Sequence, residues 1–326
     1  MKPPPYLPDF KNPCWYEKTS GASLRKRCLP YFYLIGVDKC GTTDLFTRML
    51  QHPQILHTNA VNSKETHWWS WRRFGYDVFV NNSKIQHFED YLKVFDPTSS
   101  RLNQKEVFGD GSPTYFWDFT GWPLIPQNKG KRNPEYLTPH CIHHLTPKSK
   151  FILILRNPVE RLYSDYLFLF RKNVSPESFH EGVMSALKLF DDCEKEHGTR
   201  LCLYNKTLHM HTNVRILIGL YGNYLLEWFD VFSTDQFLII KTEEYKNDIA
   251  GHLIKVFKFL GLDQLSNEHL KKISSGRHAF ERSDDLKKIG AMLPTTRISL
   301  SLSLSLSLSL SLYLYLSIYL SIYLSI

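Results

Sequence analysis

Apolar residues are spaced along this chain in two rhythms, and the alternation between them predicts the fold. Tyr31 to Val37 is a continuous apolar run, then comes a Gly/Thr-bearing turn, then 44–51 with apolar positions at helical spacing. That is strand, loop, helix. The stretch 54–58 predicts a second short strand and 107–109 a third. Residues 118–150, rich in Pro, Lys and Asn, read as a long loop. FILIL at 151–155 predicts a buried strand, and the segment 159–171 behind it a helix opened by Pro158. Residues 211–232 carry the pattern of one long amphipathic helix. Residues 237–241 predict another apolar strand, and 249–260 another helix with Gly261 at its end. Strands alternating with helices imply an α/β fold, a mostly parallel sheet covered by helices on both faces.

The two ends differ from this body. Residues 1–30 are Pro-rich and read as irregular. The body is expected to span 31–298. From Ser299 to Ile326 the chain alternates Ser and Leu and ends YLSIYLSIYLSI. As a strand this would be an exposed amphipathic ribbon, an aggregation hazard. A TC dinucleotide repeat read in any frame encodes alternating Ser and Leu, and TATC repeated encodes Tyr-Leu-Ser-Ile. The tail is therefore expected to be translated repeat DNA, entering near Arg297. A mature spliced message that encodes the repeat would overturn that expectation.

Aromatic residues make up 14% of the chain, which argues against disorder, and the formal net charge of +8 favours anionic partners without choosing among them. None of the six cysteines forms a CxxC pair, so no metal site is expected. The spacing of Cys193 and Cys202 suits a disulfide-closed loop in an oxidising compartment. Sequons at Asn81, Asn173 and Asn205 lean towards a secreted or lumenal glycoprotein. The first residues hold no apolar run, so neither a signal peptide nor an anchor is expected within this chain.

The sharpest motif is GVDKCGTT at 36–43, between the first buried strand and its helix. A helix N-terminus offers free N–H groups and the positive end of a dipole to a phosphate. Gly36 and Gly41 permit close backbone approach, Lys39 adds a compact charge, and Thr42 and Thr43 add hydroxyls. Lys39 precedes Gly41, so this is not the ATP-type loop, which places lysine after its second glycine. A second element, FILILRNPVERLYSDY at 151–166, places Arg156 at a strand's C-terminal end, where ligands bind in open α/β sheets, and Ser164 two turns into the next helix. Together they could hold another phosphate; alternatively Arg156 pairs with Glu160.

The pairing of GVDKCGTT with LRNPVERLYSDY resembles the two cofactor signatures of the sulfotransferases that use 3′-phosphoadenosine 5′-phosphosulfate (PAPS). KNPCWYEK, CGTTDLF, SKETHWW and GDGSPTYFWD make the chain most similar to the membrane-bound Golgi carbohydrate enzymes of that family. The resemblance implies the parallel-sheet sulfotransferase fold and PAPS as co-substrate, with no metal required. It implies that Lys39, Cys40, Gly41, Thr42 and Thr43 hold the 5′-phosphosulfate, and Arg156 and Ser164 the 3′-phosphate. It further implies a Golgi location through an anchor that this chain lacks, and a sulfated glycosaminoglycan as acceptor, namely C6 of N-acetylgalactosamine 4-sulfate in chondroitin or dermatan sulfate. No nucleic-acid partner is expected.

Sulfuryl transfer needs a base for the acceptor hydroxyl and a cation at the leaving phosphate. SKETHWWSWRR at 63–73 supplies Glu65. By resemblance to heparan-type enzymes Glu65 is the base and Lys39 steadies the bridging oxygen. Neighbouring aromatic residues are expected to raise the Glu65 pKa. His67 is a rival base, since cytosolic members use a histidine, and an ion pair with Lys64 is the structural alternative for Glu65. Lys64, His67, Trp68 and Arg72 are candidates for contacting the acceptor, because flat rings beside cations suit sugars and sulfates. The basic loop at 127–133 could contact a polyanion, and SSGRHAF at 274–280 could close over the cofactor. A heparan-type or other glycan sulfotransferase, a phosphotransferase and a non-catalytic polyanion-binding module are the competing readings.

Overall fold

The computed structural model describes residues 2–19, 23–79, 82–170, 174–276, 288–301 and 303. Its centre is a four-stranded parallel sheet in the order β4-β3-β5-β6, built from β3 (Phe32–Gly36), β4 (Gly109–Asp110), β5 (Lys150–Leu155) and β6 (Phe237–Lys241). Every residue of β3 is buried, as are five of the six in β5. That is the burial of strands covered on both faces, and it is why they read as unbroken apolar runs. The predicted strand at 54–58 reduces to one bridge, Ile55 to Val107, beside β4.

Residues 2–13 are irregular, as expected, but a hairpin follows them. β1 (Cys14–Lys18) and β2 (Leu24–Cys28) form an antiparallel hairpin closed by the Cys14–Cys28 disulfide. The sequence LRKRC hides a strand because its charges are answered by protein. Arg27 is wholly buried and binds Glu89 and Asp96 on a helix some 60 residues further on, α2 (Phe88–Arg101).

The main helices in chain order are α1 (Thr42–Met49), α2, α3 (Thr138–Leu145), α4 (Pro158–Leu169), α5 (Pro176–His197), α6 (Tyr221–Phe229), α7 (Ile249–Phe259) and α8 (Asn267–Ser274), with short ones at Tyr76–Phe79, Thr199–Leu203, Lys206–His211 and Thr242–Asn247. Two sequence expectations fail here. Within 118–150 lie α3 and two short 3₁₀ turns, Trp122–Leu124 and Pro126–Asn128. The long helix expected over 211–232 is broken: a 3₁₀ turn spans Ile216–Gly219 before α6 begins. Arg215 leaves helical geometry (ψ 63°) to turn its guanidinium onto Asp165 of α4, and that buried charge pair outweighs the local periodicity.

Cys193 at the end of α5 bonds to Cys202, as the spacing suggested, around a turn at Gly198 with φ of +77°. Residues 294–301 are helical, so the first residues of the Ser/Leu repeat continue an ordered turn, and Leu300 is fully buried. Among the described residues no helix is long and apolar enough to cross a membrane.

Candidate active site

β3 delivers the chain into the loop 37–41, which turns on two left-handed residues, Lys39 (φ 65°) and Gly41 (φ 98°), before α1 starts at Thr42. Successive backbone N–H groups in such a turn, continued by the open first turn of a helix, form an anion cradle. Its carbonyl side is tied down from the far strand. Thr242, directly after β6, donates its hydroxyl to Cys40 O (2.5 Å) and Leu155 O (2.9 Å). Cys40 itself is buried, and burial pushes its thiol up to about 12, so it stays a neutral packing group beside the Tyr221 hydroxyl.

Lys39 projects its ammonium over the Phe168 ring, 3.6 Å from the centroid. Burial lowers its pKa, with Asp165 and Asp38 opposing. Arg156, at the C-terminal end of β5, donates to Lys39 O (3.4 Å) and lies 4.0 Å from Glu160. Ser164 follows two turns along α4, partly exposed. The structure thus brings the loop, Arg156 and the Ser164 helix to one end of the sheet. Beneath them Asp165 is buried between Arg215, which binds it with two donors (2.5 and 2.8 Å), and Arg161, 3.4 Å away. Arg215 also covers the Trp117 ring, whose Nε1 donates to Asp38 (2.7 Å).

The 63–67 segment folds back on itself through two left-handed residues, Ser63 (φ 56°) and His67 (φ 51°). One oxygen of Glu65 contacts the Lys64 ammonium and the other contacts His67 Nε2 (2.9 Å). The second ring nitrogen of His67 meets Thr114 Oγ1 (2.9 Å), and its ring stacks on Trp71. Burial would raise the Glu65 pKa, but the His67 hydrogen bond and the Lys64 charge hold it down at about 2. This reverses the expectation of a raised value: its close neighbours are cationic and polar groups rather than apolar rings.

Lys64 and Trp68 also depart from expectation. Lys64 is 2% exposed and reaches the Thr42 and Thr43 hydroxyls (3.3 and 3.5 Å) at the N-terminus of α1. It thereby links the first turn of α1 to Glu65. Trp68 is core, also 2% exposed, stacked on Tyr91 and covered by the Arg73 guanidinium. Hydrophobic burial outranks sugar stacking for that ring. Arg72 is half-buried, and its carbonyl accepts from Gln86 N.

The GDGSPTYF stretch is the scaffold under this segment. Asp110 is buried and accepts hydroxyl bonds from Thr66, Ser112, Tyr115 and Tyr91 (2.6–3.2 Å), while burial raises its pKa. Ser112 Oγ in turn accepts from the backbone N–H groups of Thr66 and His67. Gly111 is needed because a Cβ there would lie 2.6 Å from Lys64 Cγ and 2.8 Å from the Phe46 ring. Gly111→Ala is expected to destabilise the protein by about 1–3 kcal/mol, read as a lower urea midpoint with unchanged slope. Sequence reasoning quoted GDGS but assigned it no role, and Thr242, a lone threonine after a strand, carried no signal at all. In SSGRHAF, Arg277 to Phe280 lie outside the described residues, as do Asn81 and Asn173. Asn205 caps the short helix Lys206–His211.

A parallel sheet with an anion cradle at its strand ends and a carboxylate beside it defines a phosphate-binding α/β class. Residues 30–279 match the sulfotransferase domain family, and the chain belongs to that family. Carbohydrate sulfotransferase 15 of Mus musculus is 35% identical over 349 residues, covering 90% of this chain and 62% of that protein, and the Homo sapiens protein matches with the same figures. The chain therefore spans about 62% of the length of these relatives. The bifunctional heparan sulfate N-deacetylase/N-sulfotransferase 4 of Mus musculus is 28% identical, over 78% of this chain and 26% of its own length. Among solved structures, a sulfotransferase from Alicyclobacillus acidocaldarius shares the fold with a TM-score of 0.52 at 22% identity, covering 87% of this chain and 96% of that one.

Proposed function

We propose that this chain transfers a sulfuryl group from PAPS to a hydroxyl of a sulfated glycosaminoglycan in the Golgi lumen. The observation that carries the proposal is the placement of Lys64: one ammonium touches both the Glu65 carboxylate and the threonine hydroxyls of the anion cradle. A base and a phosphate site are thereby held side by side, as direct transfer between an alcohol and a phosphosulfate demands. Glu65 takes the acceptor's proton as the new oxygen–sulfur bond forms. The sulfur–oxygen bond to the phosphate breaks, and adenosine 3′,5′-bisphosphate leaves with its charge met by Lys39, Lys64 and the N-terminus of α1. Arg156 and Ser164 hold the 3′-phosphate.

Donor binding also addresses the low basicity of Glu65. A phosphosulfate in the cradle competes for the Lys64 ammonium, and loss of that partner raises the carboxylate's proton affinity when the acceptor arrives. The two disulfides suit an oxidising lumen. The carbohydrate acceptor follows from the names of the relatives, and C6 of N-acetylgalactosamine 4-sulfate from the sequence resemblance. The +8 charge suits a polyanion.

The test is transfer of labelled sulfate from PAPS to chondroitin 4-sulfate, unsulfated chondroitin and heparan sulfate, alongside melting curves with adenosine 3′,5′-bisphosphate and with ATP. The bisphosphate is expected to raise the melting temperature, by mass action, and ATP is not. Chondroitin 4-sulfate is expected to be the best acceptor. Stabilisation without transfer to any glycan overturns the acceptor assignment; no stabilisation overturns the donor.

A further inference from the structure

Glu160 stands in the first turn of α4 between two guanidinium groups. Its Oε2 lies 4.0 Å from Arg156 Nη2, at the outer limit of an ion pair, whereas its Oε1 accepts a 2.6 Å hydrogen bond from Arg297 Nη2. The carboxylate is thus drawn away from the arginine at the strand end and towards the C-terminal segment. That segment is fixed independently of the pair. Thr296 is fully buried with its hydroxyl 2.9 Å from His180 Nδ1, Leu300 is fully buried, and Tyr163 of α4 donates to Gly290 O at 3.0 Å. The helical turn 294–301 therefore holds the Arg297 backbone against α4 and α5.

Charge geometry gives this arrangement a consequence. Glu160 is one helical turn from Arg156, so without another partner it closes on the Arg156 fork and competes with any phosphate there. We propose that Arg297 is a positioning residue for the donor site: it holds Glu160 off Arg156, and the C-terminal segment thereby sets the affinity for the 3′-phosphate of the nucleotide. This rests on the reading of Arg156 as a phosphate ligand. Arg297 does not touch the nucleotide and acts only through Glu160. Both members of the pair are partly solvated, so the effect is modest by the standards of buried ions.

The experiment is titration calorimetry of adenosine 3′,5′-bisphosphate with the wild-type chain and with Arg156→Ala, Arg297→Ala, Glu160→Gln and the Arg297→Ala/Glu160→Gln double variant, each with a melting temperature taken without ligand. Arg297→Ala is expected to raise Kd about three- to fivefold, and the double variant to return it to the wild-type value, because an uncharged amide in place of the Glu160 carboxylate holds Arg156 far less strongly and yields it to a phosphate. Restoration by the second substitution is a readout that a merely structural Arg297 would not show. An unchanged Kd in Arg297→Ala overturns the proposal, and so does a weakened Kd that Glu160→Gln fails to restore. Wild-type binding that Arg156→Ala leaves untouched overturns the reading beneath it, as does no binding by the wild type.

Discussion

Glu65→Gln is expected to lower the rate of sulfate transfer about 10²- to 10⁴-fold, the range spanned by a single general base, while leaving the affinity for adenosine 3′,5′-bisphosphate within about twofold. Glutamine keeps the size of the side chain and a carbonyl oxygen that can still accept from Lys64, but it cannot take a proton. Sulfate transfer under donor saturation and bisphosphate titration separate the two effects. Equal loss of both would mean that Glu65 serves only to place Lys64. The pH dependence is a second check. The free protein holds Glu65 at about 2, below its ordinary value of 4.5. A depressed carboxylate contributes stability that is complete above 4.5 and is lost as pH falls towards 2, so Glu65→Gln should flatten the acid unfolding curve across that window. With the donor bound, the acid limb of transfer is expected above the free protein's value, because the donor draws Lys64 away from the carboxylate.

Asp165→Asn should be the most damaging single change to the fold, costing about 3–5 kcal/mol, because it leaves Arg161 and Arg215 facing each other without their shared anion. Arg161 is fully buried and already has Nε and Nη1 without hydrogen bonds, although Nη1 is 3.4 Å from the carboxylate. Removing the charge therefore leaves Arg161 almost uncompensated, its Nη2 bond to Arg215 O apart. Chemical denaturation reads the loss directly, and a variant within about 1 kcal/mol of wild type would show that solvent already reaches the pair. Burial raises the Asp165 pKa and the two arginines lower it, with a net depression. Its contribution is thus full above its unfolded pKa of about 3.9 and fades as pH falls through the folded value.

The sheet was legible in the sequence where burial makes its own pattern. β3, β5 and β6 are short apolar runs because helices cover both faces, and α4 announces itself through Pro158 behind Asn157, whose side chain caps Val159 and Glu160. The two segments proposed to bind phosphate could be singled out for the same reason, since each follows such a strand. What escaped was structure held by charge rather than by apolar periodicity. The β2 strand is mostly basic and owes its burial to acids 60 residues and more away. The break at Arg215 depends on an aspartate 50 residues earlier. α2 was missed because Pro97 interrupts its pattern, although that proline is exposed and late in the helix. Glu65 is the instructive case. Both groups that set its proton affinity lie within two residues of it in sequence, but only the left-handed backbone at His67 brings them to the same carboxylate.

The threonine that follows β6 has a consequence for how this protein comes into being. Thr242 bonds across the ends of two strands at once, to the carbonyl of Cys40 and to that of Leu155, 202 and 87 residues distant in sequence. Parallel strands so far apart pair slowly, because the intervening chain must be gathered before the contacts form. During synthesis the 37–41 loop leaves the ribosome 202 residues before the threonine that ties Cys40 O. A nascent protein cannot hold this loop in its finished form until β6 has docked and brought Thr242 to it. On the proposed function, fragments that end before β6 are therefore expected to bind adenosine 3′,5′-bisphosphate more weakly than the chain that includes it, because the tie from Thr242 to the 37–41 loop is missing.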